Sequence, residues 1–368
     1  MKPNETTEEY DATVDAMNRQ FANISVQDDI RRVKRFSMPS EALTATFDLL
    51  ATDMMNAKKL SESTRNKRMI ARFGTMPIVV AKIWELIDEE GITSEKLDGK
   101  KVTDKAKPKH LLWALNFMKE NSTIAAMGSS VKMRSDKKEP SENTLIKWIW
   151  IFQHAMWSLK ERVIRWENRK TNDIRNDALA SVDCSDFPFH QIRIPDVNRP
   201  GRLTFNKALH TPKGPSLRYE IATSILSSDF VHVSGPWMPG DWNDILIFRQ
   251  GLVHKLGPNE RVVSDKGLRG DAPDKVLHQG SVEIAGSLDK TTWCKRIEGR
   301  FESGFNRIKR FKCLKQCKLK GTPEEKVLKH EMMVISAVVL CQLEMELGMN
   351  HLYEVNTDGF EYERYDRV

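Results

Sequence analysis

The second half of this 368-residue chain predicts an α/β or α+β domain, and three observations carry that reading. From about residue 178 the segments "ALASVDCSDF", "LRYEIATSILS", "FVHVSGP" and "ERVVSDKG" are short, β-branched and turn-bounded, which is the pattern of strands. Two long helical patterns follow, at 290–316 and 323–347. Between strands and helices lies "GPWMPGDWNDILIFRQG" (235–251), whose prolines and glycines form a rigid turn that delivers Asp244 to the start of "ILIF". A surface loop gains little from fixing one carboxylate so firmly, whereas a metal site gains a great deal.

Taken in order, residues 1–70 mix charge and polarity without a clean period and predict a poorly defined, partly disordered region. Within it, "EALTATFDLLATDMM" has the pattern of a short amphipathic helix. The run "RRVKRF" (31–36) is either a nuclear-import or phosphate-contacting patch or plain solvated surface. From Pro77, Val80, Ile83, Trp84 and Ile87 repeat at helical spacing, with proline in the first turn where its missing N–H costs nothing. "KHLLWALNFMKE" continues the pattern, and after Ser141 so do Leu145, Trp148, Ile149, Phe152, Met156, Leu159 and Val163. With the polar, basic connection "MGSSVKMRSDKKEPS", residues 71–170 predict a small helical domain, either a DNA-binding helix-turn-helix or a packing domain without a ligand. Residues 178–356 form the strand-and-helix domain and 357–368 a tail.

Lys and Arg exceed Asp and Glu by 58 to 51, a formal charge of +7 that suits a polyanionic partner without identifying one. The five cysteines make no even framework and read as reduced thiols. The polar, acidic start does not have the pattern of a signal peptide, and "MMVISAVVLC" (332–341) is too short to span a bilayer, so a soluble intracellular protein with no membrane partner is expected.

Three carboxylates stand out. Asp183 ends a strand-like "ASV", Asp244 follows the Gly/Pro turn, and Glu302 lies on a helix beside Glu298, next to the apolar stripe Ile297, Phe301, Phe305 and Ile308. Hard divalent cations need carboxylate oxygens on rigid elements, and two such ions serve phosphodiester chemistry. Each acid also has a plain alternative: Asp183 as a strand end, Asp244 as a helix cap, Glu302 as a surface partner of Lys309 or Arg310.

The blocks "VDCSDFPF" (182–189), "PKGPSLRYEIATSI" (212–225), "VSGPWMPGDWNDILIFR" (233–249), "RVVSDKGLRG" (261–270) and "FESGFNRIKRFKCL" (301–314) occur in the order and spacing of one family. The chain over 178–356, through "MNHLYEV", resembles the DDE superfamily endonucleases, the transposase domains of Harbinger-type DNA elements. The stretch from "FGTMPIVVAKIW" to "ENTLIKWIWIF" is similar to the helical segment that precedes that domain, which favours the DNA-binding reading of 71–170.

The resemblance implies an α/β, RNase H-like mixed sheet flanked by helices. It implies catalytic, metal-ligating roles for Asp183, Asp244 and Glu302, with two Mg²⁺ or Mn²⁺ ions per site, and places Asp244 at a strand end beside Asp183. It further implies DNA cleavage and strand transfer on double-stranded transposon ends and target DNA, a nuclear location, a Myb-like DNA-binding partner protein and homo-oligomer formation. Arg307, Lys309, Arg310, Lys312 and Lys315, continued by Lys318 and Lys320, are the expected phosphate contacts. The chain departs from the family pattern at Cys184, Ser185, Asn243 and Leu268, none of them a ligand position. Asp241 is an extra acid, and Asp265 a second candidate neighbour of the metal. A domesticated DNA-binding or adaptor protein that keeps the fold without turnover is the alternative.

Overall fold

The computed structural model describes residues 36–169, 178–196, 199–227, 229–271, 274–281, 288–315 and 319–349. Most of "RRVKRF", Lys318, the "MNHLYEV" segment beyond Met349 and the tail 357–368 therefore lie outside the described residues.

The short helix expected at "EALTATFDLLATDMM" is present, and a second, unexpected one follows it. α1 (Glu41–Met54) starts where the Ser40 side chain accepts from the Leu43 amide, and α2 (Glu62–Phe73) starts at Ser61 in the same way. α2 ends at Gly74, whose φ of 82° is the left-handed geometry of a helix stop. Both lie wholly or largely within the stretch expected to be poorly defined. α2 escaped notice because only Met69 and Phe73 are buried on an otherwise charged helix. α3 (Pro77–Glu89), α4 (Pro108–Glu120), α5 (Ile124–Ser130) and α6 (Glu142–Ser158) follow.

Among the described residues the main sheet has six strands, of which five frame the site. β1 (Ala178–Pro188), β2 (Gly214–Ser224) and β3 (Phe230–Trp237) form an antiparallel meander, while β4 (Arg261–Val263) lies parallel to β1 on its other side and β5 (Val276–Leu277) parallel to β4. The order across the sheet is β5-β4-β1-β2-β3, a mixed α/β arrangement as expected in outline. On one face Ala180, Val182, Ala222 and Val262 pack with Phe248 and Leu252, which α7 (Asp244–Gln250) and the turn after it contribute. On the other, Val263, Leu277 and Ile225 pack with Trp293, Cys294 and Ile297 of α8 (Leu288–Ile308). Each such side chain fully withdrawn from water contributes roughly 1.5–3 kcal/mol before entropy is counted.

α9 (Pro323–Glu346) joins the two halves of the chain. On the sheet side, the Gln342 amide oxygen accepts from the Phe230 backbone N–H at 2.7 Å. On the helical side, the Trp157 indole N–H of α6 donates to Glu331 at 3.1 Å and Ser336 donates to the Gln153 carbonyl. The described residues from Met38 onward are consequently one compact unit, in which 71–169 does not stand apart. α4 buries every residue from His110 to Asn116, leaving it little free face with which to read a DNA groove. Among the described residues no helix is long and apolar enough to cross a membrane.

The Gly/Pro segment is held by close backbone approach. Gly235 has φ 128°, and a Cβ there would lie 2.7 Å from Tyr219 Cδ1 and 2.8 Å from the Arg218 carbonyl oxygen. Gly235→Ala is therefore expected to lower stability in urea unfolding by about 2–4 kcal/mol. Gly128→Ala in α5, where the nearest atom to the new Cβ is 3.7 Å away, should instead be neutral or stabilising by up to about 1 kcal/mol. Equal effects at the two sites would contradict this account of the turn.

Candidate active site

The parallel pairing of β1 and β4 sets the geometry. Ser181 stands opposite Val263, the last residue of β4; Asp265 follows two residues later, while Asp183 is not a strand end but lies midway along β1, which runs on to Pro188, and the Asp265 charge acts on it. The Asp183 Oδ1 accepts from the Cys184 amide at 2.7 Å, and the Asp265 Oδ1 from the Gly267 amide at 2.7 Å. Gly267 is the small residue at the centre of the group. A Cβ there would sit 2.8 Å from Asp265 Oδ1 and 3.2 Å from Asp244 Oδ2, so any side chain would intrude between the two carboxylates.

Asp244 reaches this place differently from the expectation. It is not at a strand end: β3 stops at Trp237, the turn follows, and Asp244 is the first residue of α7. Asn243, where the family pattern has histidine, is the helix cap, its side-chain oxygen accepting from the Leu246 amide at 3.0 Å. The rigid turn is anchored from outside, because the Gly240 amide donates to the Ala208 carbonyl at 2.7 Å. Arg218 of β2 then holds Asp244 through one Nη1 bond of 2.8 Å while gripping Asp186 of β1 with two bonds of 2.7 and 2.9 Å. Neither Asp186 nor Arg218 was expected from sequence. Their signal is a cross-strand pair, Asp186 opposite Arg218, visible only once the β1–β2 register is known.

The acids crowd one another. Burial raises the Asp183 carboxyl to about 7, the Asp265 and Asp244 charges push the same way, and the Cys184 amide and Lys309 oppose them. Burial also raises Asp244 against the pull of Arg218, with Asp265 again adding repulsion. From α8, Glu298 is half-buried and accepts from the Gln279 side chain at 2.5 Å; burial raises its pKa, and Asp265 and Glu302 raise it further. Glu302, one turn on, is exposed. Asp241 is exposed in the turn.

The cationic series divides. Lys309 lies over the Phe187 and Phe305 rings at 5.5 and 5.3 Å and is the member that feels Asp183 and Asp186. Arg310 is bound to Glu344 at 2.6 Å and Lys312 to Glu120 at 2.9 Å, both within the protein. Arg307 is half-buried, and desolvation lowers its pKa, while Lys315 and Lys320 are exposed. A solvated basic face along this whole segment is thus not what the fold builds.

The donor chemistry of Asp183, Asp265 and Asp244 fits a hard divalent cation: the donors are all carboxylate oxygens, held on rigid elements, and their mutual repulsion would be relieved by positive charge. They do not form a closed cage, since among the described residues no group of three or more His, Cys, Asp or Glu side chains is arranged to hold a metal ion. Compared with family models, with curated proteins and with solved structures, the chain matches none.

The raised Asp183 pKa has a consequence for stability without metal. A carboxyl whose folded pKa lies above its unfolded value supports the fold at acid pH, and that support is lost as pH rises from about 4 to about 7. In EDTA, unfolding free energy should fall across this window by on the order of 2 kcal/mol from Asp183 alone. Asp183→Asn should flatten the profile and be the more stable protein at pH 8. Parallel profiles for the two proteins would contradict the crowding of the acids.

Proposed function

We propose that this chain is a transposase-like DNA endonuclease, cutting phosphodiester bonds with the help of divalent metal at the group Asp183, Asp265 and Asp244. The observation that carries the reading is the gathering of acids around Gly267, where a Cβ would lie 2.8 Å from Asp265 Oδ1 and 3.2 Å from Asp244 Oδ2 and both charges act on Asp183. The strand order β5-β4-β1-β2-β3, with an antiparallel meander on one side of β1 and parallel strands on the other, supports an RNase H-like sheet. The family resemblance of 178–356 points the same way.

On this proposal Asp265 joins Asp183 as a ligand beside Asp244, because it follows the end of the neighbouring strand, whereas Asp244 begins a helix and is partly neutralised by Arg218. In this reading Asp183 and Asp265 hold Mg²⁺ or Mn²⁺, with Asp244 flanking them. When bound, two such ions activate water and stabilise the leaving 3′ oxygen. Arg218 orients Asp244 and Asp186, and Lys309 offers a phosphate a cation beside Asp183. α8 supplies the third acid: Glu302 by resemblance, with Glu298, on which the Asp265 charge acts, as its rival. Double-stranded DNA, strand transfer, a nuclear location, a Myb-like partner and a homo-oligomer belong to the same proposal. A DNA-binding protein without turnover is the second reading, and the open arrangement of the acids favours it.

Nicking of supercoiled DNA by the full chain in Mg²⁺ or Mn²⁺ tests the proposal. Asp183→Asn and Asp265→Asn should each lose more than about 100-fold in rate, and Asp244→Asn about 10-fold through ligand orientation. Comparing Glu302→Gln with Glu298→Gln identifies the third acid as the one whose loss is the greater. No nicking by the wild type would favour the silent protein, and full activity in Asp265→Asn would remove Asp265 from the site.

A further inference from the structure

Between β1 and β2 the chain leaves the sheet as a two-stranded ribbon, Arg193–Pro195 paired with Leu203–Phe205. Its base is rooted: Ile192 and Leu209 are buried, and the Asn206 amide donates to the Ile192 carbonyl at 2.9 Å. Its outer part is not covered. In the antiparallel register Arg193 faces Phe205 and Pro195 faces Leu203, so these four share one face of the ribbon. On that face Leu203 is 63% and Phe205 52% exposed, which is unusual for side chains of this size. The Arg193 guanidinium lies over the Phe205 ring at 5.4 Å, so cation and aromatic are presented together. Exposed Lys207 and Lys213 continue the positive charge toward the sheet.

The ribbon stands at the right end of the molecule. It leaves from the carboxyl end of β1, and because β4 is parallel to β1 that is also the end carrying Asp265. The Gly240–Ala208 hydrogen bond ties its base to the turn that presents Asp244. Lys213, where the chain returns to β2, is close enough to Lys309 to depress its pKa. A ligand lying across the acids therefore meets the ribbon next.

We propose that this ribbon is a DNA-gripping arm that lays its Arg193, Leu203 and Phe205 face into a groove of the duplex being cut; this rests on the reading of the acids as a DNA-cleaving site. A two-stranded ribbon fits a DNA groove, positive charge suits the phosphates on either side, and exposed apolar side chains wedge against base edges or steps. The same charge disfavours a second copy of the ribbon as its occupant, since Arg193 and Lys207 would then meet their like.

The test is duplex binding by the full chain in EDTA, followed by fluorescence anisotropy across a salt series, with sedimentation velocity alongside. Leu203→Ser combined with Phe205→Ala should weaken binding about tenfold with an unchanged salt slope. Arg193→Ala combined with Lys207→Ala should lower the log–log salt slope by roughly 2. Both proteins should keep the wild-type Tm, since only exposed atoms are removed. Wild-type affinity and slope in both variants would overturn the arm, as would a loss of self-association with DNA binding intact. EDTA separates the two proposals: ribbon-dependent binding by a chain that never nicks overturns the cleavage reading alone, and nicking with ribbon-independent binding overturns the arm alone.

Discussion

Parallel pairing of β4 with β1 is the constraint on which the rest of this molecule depends. Three residues of β4 suffice, because their register against β1 fixes where the chain carrying Asp265 leaves the sheet, close enough for its charge to act on Asp183. The pairing is secured from both faces, Val262 packing toward α7 and Val263 toward α8. Two carboxylates brought so close would repel each other apart on a mobile loop. Here the packed core holds them, and burial first, with repulsion from Asp265 second, raises the Asp183 carboxyl to about 7.

Around that pair the protein distributes charge asymmetrically. Arg218 neutralises Asp244 and Asp186 from the α7 side, and Lys309 approaches from the α8 side on two aromatic rings. Among the described residues neither cation is ion-paired with Asp183 or Asp265, so negative potential is left at the pair while its flanks are balanced. Glycine at 267 keeps the space between the acids open.

Much of this was legible in the sequence, for identifiable reasons. The β1, β2 and β3 segments announce themselves by β-branched runs between turn residues, and α9 by its long apolar pattern. Asp183 could be singled out because it interrupts such a run. The Gly/Pro turn makes Asp244 conspicuous, yet that turn serves a helix start capped by Asn243 and not a strand end. That Asp265 lies near Asp183 and Asp244 depends on how distant strands pair, which no local pattern encodes. The basic series after Glu302 looked like a phosphate-binding face, but Arg310 and Lys312 meet Glu344 and Glu120, which are distant in sequence. The helical region reads as separable from its polar connections, whereas its contacts with α9 make it part of the same body.

Manganese binding to the full chain, followed by electron paramagnetic resonance of the free ion, tests the central claim most directly because it needs neither DNA nor turnover. The account predicts binding by the wild type, near-complete loss in Asp183→Asn and in Asp265→Asn, and a weaker effect in Asp244→Asn. Wild-type manganese affinity in Asp265→Asn, with loss in Asp244→Asn, would contradict it and return the second ligand to the start of α7.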